Sequence, residues 1–187
     1  MMEGLQFARE AGIPLTAHLV IHWGGTMAGD DPEGKVFAHF RELFNKRLQR
    51  LGVPDGLVAI WVRECHRNKH TSDLSEIEHA HMLFHLPAKF QRRPYRDEIE
   101  TVIGELVDFV GRGDMHDLTT KLTFPRIPDG KYFLKGASQR IWDMYRIPSK
   151  WRSHRGEGLI QAKRCGTTQN IGRTARARHE AATESKS

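Results

Sequence analysis

Two short apolar segments, 56–64 (GLVAIWVRE) and 77–86 (IEHAHMLFHL), constrain the fold of this 187-residue chain more than any other feature. A polar stretch separates them, and Pro87 follows the second. Apolar segments of this length, bounded by polar residues, favour buried strands over helices. Because a short connection joins antiparallel strands and a parallel pair needs a long crossover, the two segments predict an antiparallel hairpin.

The remaining segments complete a mixed pattern. Residues 15–23 (LTAHLVIHW) place apolar side chains at alternate positions, as a half-buried strand does. Residues 32–51 and 97–110 have apolar side chains at helical spacing and predict two amphipathic helices. A short strand is predicted at 118–124 and a third helix at 130–146. The order β-α-β-β-α-β-α predicts an α+β fold, with an antiparallel central sheet and helices on one face.

The positive charge of the chain is concentrated near its C-terminus. Residues 150–187 contain nine basic and three acidic residues, an excess that equals the net charge of +6, so residues 1–149 are formally neutral. Periodicity also fades beyond Pro148. We therefore expect a folded domain over 1–148 and a basic, poorly ordered tail over 149–187. Such a tail either contacts a polyanion such as nucleic acid or only keeps the protein in solution.

Cysteine content and hydropathy restrict the class of protein. Cys65 and Cys165 are the two cysteines, which excludes a disulfide framework and any zinc site built on four cysteines. No window approaches the ~18 consecutive apolar residues of a membrane span. The first fifteen residues lack the apolar run of a secretory signal. We expect a protein of the reducing cytoplasm with no membrane partner.

The sequence His79-Ala80-His81 lies within the second strand of the predicted hairpin. Side chains two residues apart share a face of a strand and are roughly 6.6 Å apart, so both imidazoles can reach one divalent ion. A carboxylate would complete a three-ligand site that leaves positions open for a substrate. Glu64 is the best candidate because it ends the partner strand, and Glu76 and His66 remain possible. The alternative is that both histidines simply pack on a half-buried sheet face.

Three motifs, taken in order, resemble those of the HUH endonucleases, and within them the single-tyrosine rolling-circle replication initiators of plasmids and single-stranded DNA viruses. The first is the strand 15–23, the second is HAHMLFHLP, with two histidines around an apolar residue, and the third is Tyr132-Phe133-Leu134-Lys135, which fits the pattern Y-x-x-K. The segment RECHRN resembles the stretch that supplies a metal-binding glutamate in the viral initiators, which corresponds to Glu64. The resemblance covers about 13–147 and implies that family's antiparallel core, which is similar to the RNA-recognition-motif fold.

The resemblance implies a metal-dependent, site-specific endonuclease that nicks and rejoins single-stranded DNA to initiate rolling-circle replication. His79, His81 and Glu64 would hold Mg²⁺ or Mn²⁺. Tyr132 would attack the scissile phosphate and form a 5′-phosphotyrosine, and Lys135, one helical turn later, would stabilise the phenolate or the pentavalent phosphate. The partners would be an origin or hairpin in single-stranded DNA, with a host polymerase. A host helicase is also expected, because no Walker-type phosphate loop is present.

Several residues are candidates for contacts with DNA. Basic side chains would bind phosphates, and aromatic side chains would stack on bases; the candidates are Arg92, Arg93, Arg96, Tyr95, Lys150 and Arg152, with Trp23 as a further stacking group. Other functions remain open at this point. A single-tyrosine transposase or a relaxase would share the motifs, a non-catalytic nucleic-acid-binding module would share the sheet, and a metal-dependent phosphoesterase would need no tyrosine.

Overall fold

The computed structural model describes residues 2–22, 34–66, 77–111, 119–125, 139–144, 146, 149 and 165–184. Within them the chain is α+β, as the sequence predicts. Its strands are β1 (Ala17–His22), β2 (Ala59–His66), β3 (Ile77–Phe84), β4 (Thr119–Thr123) and β5 (Cys165–Thr167). Its α-helices are α1 (Met2–Glu10), α2 (Lys35–Arg50), α3 (Tyr95–Gly111), α4 (Gln139–Met144) and α5 (Arg173–Glu184), with short 3₁₀ helices at Ala88–Gln91 and Gln169–Ile171.

The strands form one antiparallel sheet in the order β4-β1-β3-β2-β5. The predicted hairpin is confirmed, because β2 and β3 pair along their full length, from Ala59 opposite Phe84 to His66 opposite Ile77. On the other side of β3 lies β1, so that β3 is the central strand and the first strand of the chain is an interior neighbour of it. β4 then pairs with β1, and β5 with β2.

One face of the sheet is covered by α2 and α3. The apolar stripes predicted for these helices are buried there, and α2 contributes Phe37, Phe40, Phe44 and Leu48. Alternate strand residues, including Leu19, Trp61, Met82 and Phe84, meet them in the main hydrophobic core. Burial of this apolar surface stabilises the fold and holds the three central strands in register.

The opposite face is apolar at one end and polar at the other. At the apolar end, Leu5 and Ala8 of α1 pack against a second core of strand residues that includes Ile60, Val62 and Leu83. The sequence did not predict α1, because nine residues with three buried positions carry little periodic signal. Further along β2 and β3, the same face carries Glu64, His81 and His79 in place of apolar residues.

The C-terminal segment differs from the expectation of a poorly ordered tail over 149–187. Cys165 and Thr167 lie opposite Val62 and Ile60 in a strand pair at the edge of the sheet. Thr168 extends the pairing, since its amide donates to the carbonyl of Ala59 and its hydroxyl accepts from the amide of Ala59, both at 2.9 Å. Ile171 is fully buried in the second core. Residues 165–184 are therefore part of the folded unit, and the predicted boundary at residue 148 lies too early for them.

The helices predicted at 32–51 and 97–110 correspond to α2 and α3, and the strand predicted at 118–124 is β4. Of the helix predicted at 130–146, α4 covers 139–144 and Arg146 lies in a turn, and the other residues of this segment lie outside the described part of the chain. In the described part of the chain, no helix combines the length and the apolar character needed to cross a membrane.

Candidate metal centre

The register of the hairpin brings a carboxylate and two imidazoles together. Glu64 lies directly opposite His79, and Val62 lies opposite His81. Because side chains alternate between faces along each strand, Glu64, His79 and His81 all lie on the face that carries α1. Two segments separated by fifteen positions in sequence thus place three potential ligands on neighbouring strands, as the hairpin predicts.

The three side chains are close enough to share one ion. One potential ligand atom from each of Glu64, His79 and His81 lies within 4.8 Å of the other two. Nε2 of His79 lies 3.3 Å from Oε2 of Glu64. The side chains are almost completely buried, with exposed fractions of 1% for Glu64, 3% for His79 and 7% for His81. A carboxylate buried this deeply is costly unless hydrogen bonds, a charge partner or a metal ion compensate it.

Two further histidines, from β1, line the same group. Nε2 of His18 lies 3.2 Å from Nδ1 of His81, and the two rings are stacked with centroids 5.4 Å apart. His22 lies opposite His79 in the strand pair, and its ring stacks on that of His79 at 5.2 Å. We call His18, His22, His79, His81 and Glu64 the histidine cluster.

Burial lowers the pKa of three imidazoles of this cluster, those of His18, His22 and His81. It lowers the pKa of His81 to about 3, although the negative charge of Glu64 opposes this shift. Burial also lowers the pKa of His18, with a further contribution from Lys121 on β4, and it lowers the pKa of His22, with a contribution from His79. A neutral imidazole has a lone pair available for a metal ion, so these environments suit ligation.

The donor set fits a divalent cation. Two imidazole nitrogens and one carboxylate oxygen are a ligand set found with several divalent metals, and three protein ligands leave coordination positions for water or a substrate oxygen. Glu64, His79 and His81 therefore form a candidate metal centre, and their donor atoms are compatible with Mg²⁺, Mn²⁺ and other divalent ions.

The predicted DNA-contacting turn lies away from this centre. It follows β3, whose last residue, Phe84, is about 16 Å along the strand from His79. In this turn Arg93 is 3.3 Å from Asp97, and Arg96, at the start of α3, is 2.9 Å from Glu100. The turn is therefore at the opposite end of the sheet from the metal centre. The exposed residues there include Arg92, Arg93 and Tyr95, whose ring contacts that of Phe90.

Other predicted site residues lie outside the described part of the chain. These are the proposed nucleophile Tyr132 and its neighbour Lys135, the basic residues Lys150 and Arg152, the stacking candidate Trp23 and the alternative ligand Glu76. For the other alternative ligand, His66, the structure describes the backbone but not the side chain. Their predicted roles stay predictions.

Sequence reasoning did not assign His18 and His22 to the site. Both occupy the non-core positions of the first predicted strand, so their shared face was readable from the alternation in LTAHLVIHW. The sequence did not predict that β1 pairs with β3, because this pairing joins residues more than fifty positions apart in the chain. Two histidines at even spacing on a strand next to a His-x-His strand are the pattern that would have identified them.

Comparison with known proteins adds no assignment: the chain matches no protein-family model and no curated protein at a significant level.

Proposed function

We propose that this protein is an HUH-type endonuclease that nicks and rejoins single-stranded DNA through a tyrosine, in the manner of a rolling-circle replication initiator. The observation that supports this most directly is the buried group of Glu64, His79 and His81, with ligand atoms within 4.8 Å of one another. The order of the sequence motifs, with a Y-x-x-K pattern downstream of the histidines, is the second line of support.

The chemistry proposed for the centre is transesterification. Glu64, His79 and His81 would hold Mg²⁺ or Mn²⁺, and the neutral state of His81 suits this role. The ion would supply positive charge that offsets the charge developing on the scissile phosphate. The phenol of Tyr132 gives up its proton to solvent, and its oxygen forms a bond to phosphorus while the bond to the 3′-oxygen breaks. The 3′-oxygen takes up a proton from solvent, so the exchange of protons balances. The products are a free 3′-hydroxyl and a 5′-phosphotyrosine.

The covalent product retains the energy of the phosphodiester bond. A later 3′-hydroxyl can attack the phosphotyrosine and release Tyr132, so rejoining needs no nucleotide cofactor. Lys135 is proposed to stabilise the phenolate before attack, since a tyrosine with an ordinary pKa near ~10 is a weak nucleophile at neutral pH. The free 3′-end would prime a host polymerase, with a host helicase separating the strands.

Nucleic-acid contact is proposed for exposed basic residues at two places. Lys121 lies on β4 on the same face as the histidine cluster, where its charge acts on His18. Arg92, Arg93 and Arg96 lie at the far end of the sheet and would contact a strand that extends beyond the scissile site. The turn is thus a proposed anchoring region rather than part of the reacting centre.

A denaturing-gel assay tests the proposal. The full-length protein is incubated with Mn²⁺ and labelled single-stranded oligonucleotides, both linear and hairpin-forming, and analysed after SDS treatment. We expect a labelled protein band that survives SDS in the wild type and disappears in Tyr132→Phe. The band should persist in Tyr145→Phe, the matched control, which removes the hydroxyl of the other tyrosine downstream of the histidines. His79→Ala and chelation by EDTA also abolish it.

Other results would identify other functions. Multiple-turnover cleavage that is indifferent to Tyr132→Phe indicates a phosphoesterase without a covalent intermediate. Tight binding with no cleavage across the oligonucleotides indicates a non-catalytic binding module. Preferential cleavage of transposon-end hairpins over plasmid origins indicates a transposase, and preference for a conjugative transfer origin indicates a relaxase.

A further inference from the structure

The contact between His18 and His81 crosses from β1 to β3. Nε2 of His18 and Nδ1 of His81 are 3.2 Å apart, within hydrogen-bond range, and the two rings are inclined by only 23°. Val20 rather than His18 lies directly opposite His81, so the two histidines are diagonal neighbours on the same face. This contact joins a proposed ligand to a residue to which the sequence motifs assign no role.

The contact determines which nitrogen of His81 is left for an ion. A neutral imidazole carries one N–H and one lone pair, and a metal ion needs the lone pair. If Nδ1 of His81 carries the hydrogen and donates it to Nε2 of His18, the lone pair of His81 is on Nε2. The opposite arrangement, with His18 donating to Nδ1 of His81, puts a hydrogen on Nε2 and blocks ligation there. Ion binding therefore favours the first arrangement.

We propose that His18 is a positioning residue for the metal centre: it accepts a hydrogen bond from Nδ1–H of His81 and so holds His81 with Nε2 as the ligand nitrogen. A ligating histidine that donates its other N–H to a fixed acceptor is a better oriented and more basic ligand. This inference rests on the metal site of the proposed function and does not depend on Tyr132 or on DNA.

Equilibrium titration with Mn²⁺ alone, followed by its electron paramagnetic resonance signal, tests the proposal. His18→Phe keeps a planar ring and removes the acceptor, and we expect about 10- to 100-fold weaker binding. His18→Asn offers an amide oxygen as acceptor, and we expect affinity within about threefold of the wild type. Val20→Ala is the matched control, because Val20 lies directly opposite His81 on the same face and its side chain offers no hydrogen-bond acceptor, and this variant should stay within about threefold of the wild type.

A second measurement on the wild type guards against misfolded variants. In long-range ¹H–¹⁵N correlation spectra of the Zn²⁺-loaded protein, we expect a hydrogen on Nδ1 of His81 and the metal on Nε2. Metal on Nδ1 overturns the proposal, as does unchanged Mn²⁺ affinity in a folded His18→Phe. An equal loss in Val20→Ala also overturns it, since that result would indicate general packing around His81.

The outcomes separate this inference from the proposed function. Tight Mn²⁺ binding by the wild type without any DNA cleavage contradicts the proposed nickase activity. The Mn²⁺ affinities of the His18 variants still decide whether His18 positions His81. If the wild type cleaves DNA and His18→Phe binds Mn²⁺ as tightly as the wild type does, only the positioning role of His18 is contradicted. No Mn²⁺ or Zn²⁺ binding by the wild type contradicts both.

Discussion

At the scale of single residues, the position of Glu64 carries most of the argument for a metal centre. Its side chain is 1% exposed, and its Oε2 lies 3.3 Å from Nε2 of His79. Because side chains alternate between faces along a strand, a shift of one residue in the register of β2 would move this carboxylate away from the site. The chemistry of the cluster therefore depends on one strand pairing.

Replacing this carboxylate tests its role as a ligand. We expect Glu64→Gln, which keeps the shape and removes the charge, to weaken Mn²⁺ binding by at least about tenfold, or roughly 1.4 kcal/mol. Isothermal titration calorimetry measures the affinity. Glu42→Gln is the control, because Glu42 is exposed on α2 and pairs with Lys46 at 2.6 Å. Equal affinities for the two variants would remove Glu64 from the ligand set.

At the scale of elements, the turn between α2 and β2 sets where the hairpin begins. Gly56 has φ of 60°, in the left-handed region, and a Cβ at this position would contact Oδ1 of Asn45 and the side chain of Gln49. Asn45 Oδ1 accepts a hydrogen bond of 2.7 Å from the amide of Leu57. A residue without a side chain is thus required for both the backbone conformation and the close approach.

Two alanine substitutions separate these two requirements. Gly12 also has a positive φ, of 76°, but a Cβ there would have no neighbour within 4 Å. We expect Gly12→Ala to lower the free energy of unfolding by about 1–2 kcal/mol through backbone strain alone. Gly56→Ala should cost at least about 1 kcal/mol more, because Asn45 must also move and its hydrogen bond weakens. Urea unfolding measures both, and equal losses would contradict the close approach.

The C-terminal elements contribute to the same sheet. Ile171 follows β5 and is fully buried against Leu5 of α1 and strand residues of the second core. We expect Ile171→Ala to lower the free energy of unfolding by about 2–5 kcal/mol, and Ile171→Val by about 0.5–1.5 kcal/mol. Chemical denaturation measures the series. Losses near zero for both variants would mean that residues 165–184 form a tail that is independent of the domain.

At the scale of the whole molecule, the main hydrophobic core and the candidate metal centre lie on opposite faces of the sheet. The face beneath α2 and α3 carries the main hydrophobic core together with the buried side chain of Arg63. The other face combines a smaller core with the histidine cluster. A ligand that binds only the folded protein stabilises it, so a metal centre buried on the sheet couples ion binding to unfolding of the entire domain.

This coupling predicts a thermal shift. At Mn²⁺ concentrations 100-fold above the dissociation constant, the folded state gains about 2.7 kcal/mol. For a chain of this size that corresponds to an increase in Tm of roughly 5–10 °C. Differential scanning calorimetry with and without EDTA measures the shift. A double variant, His79→Ala with His81→Ala, should show no shift, and an equal shift in that variant would place the bound ion elsewhere.

The linear pattern of residues was sufficient for the local features. Alternation placed His79 and His81 on one face, the hairpin brought Glu64 to His79, and helical spacing identified α2 and α3, because each depends on neighbours close in the chain. The insertion of β1 beside β3, the addition of β5 and the packing of α1 join distant segments. These arrangements form because distant segments bury apolar surface together on both faces of the sheet, and the pattern within one short segment does not specify its distant partner. The contact of His18 with His81 is likewise a contact between distant segments, so it forms only when the sheet folds and no sequence motif predicts it.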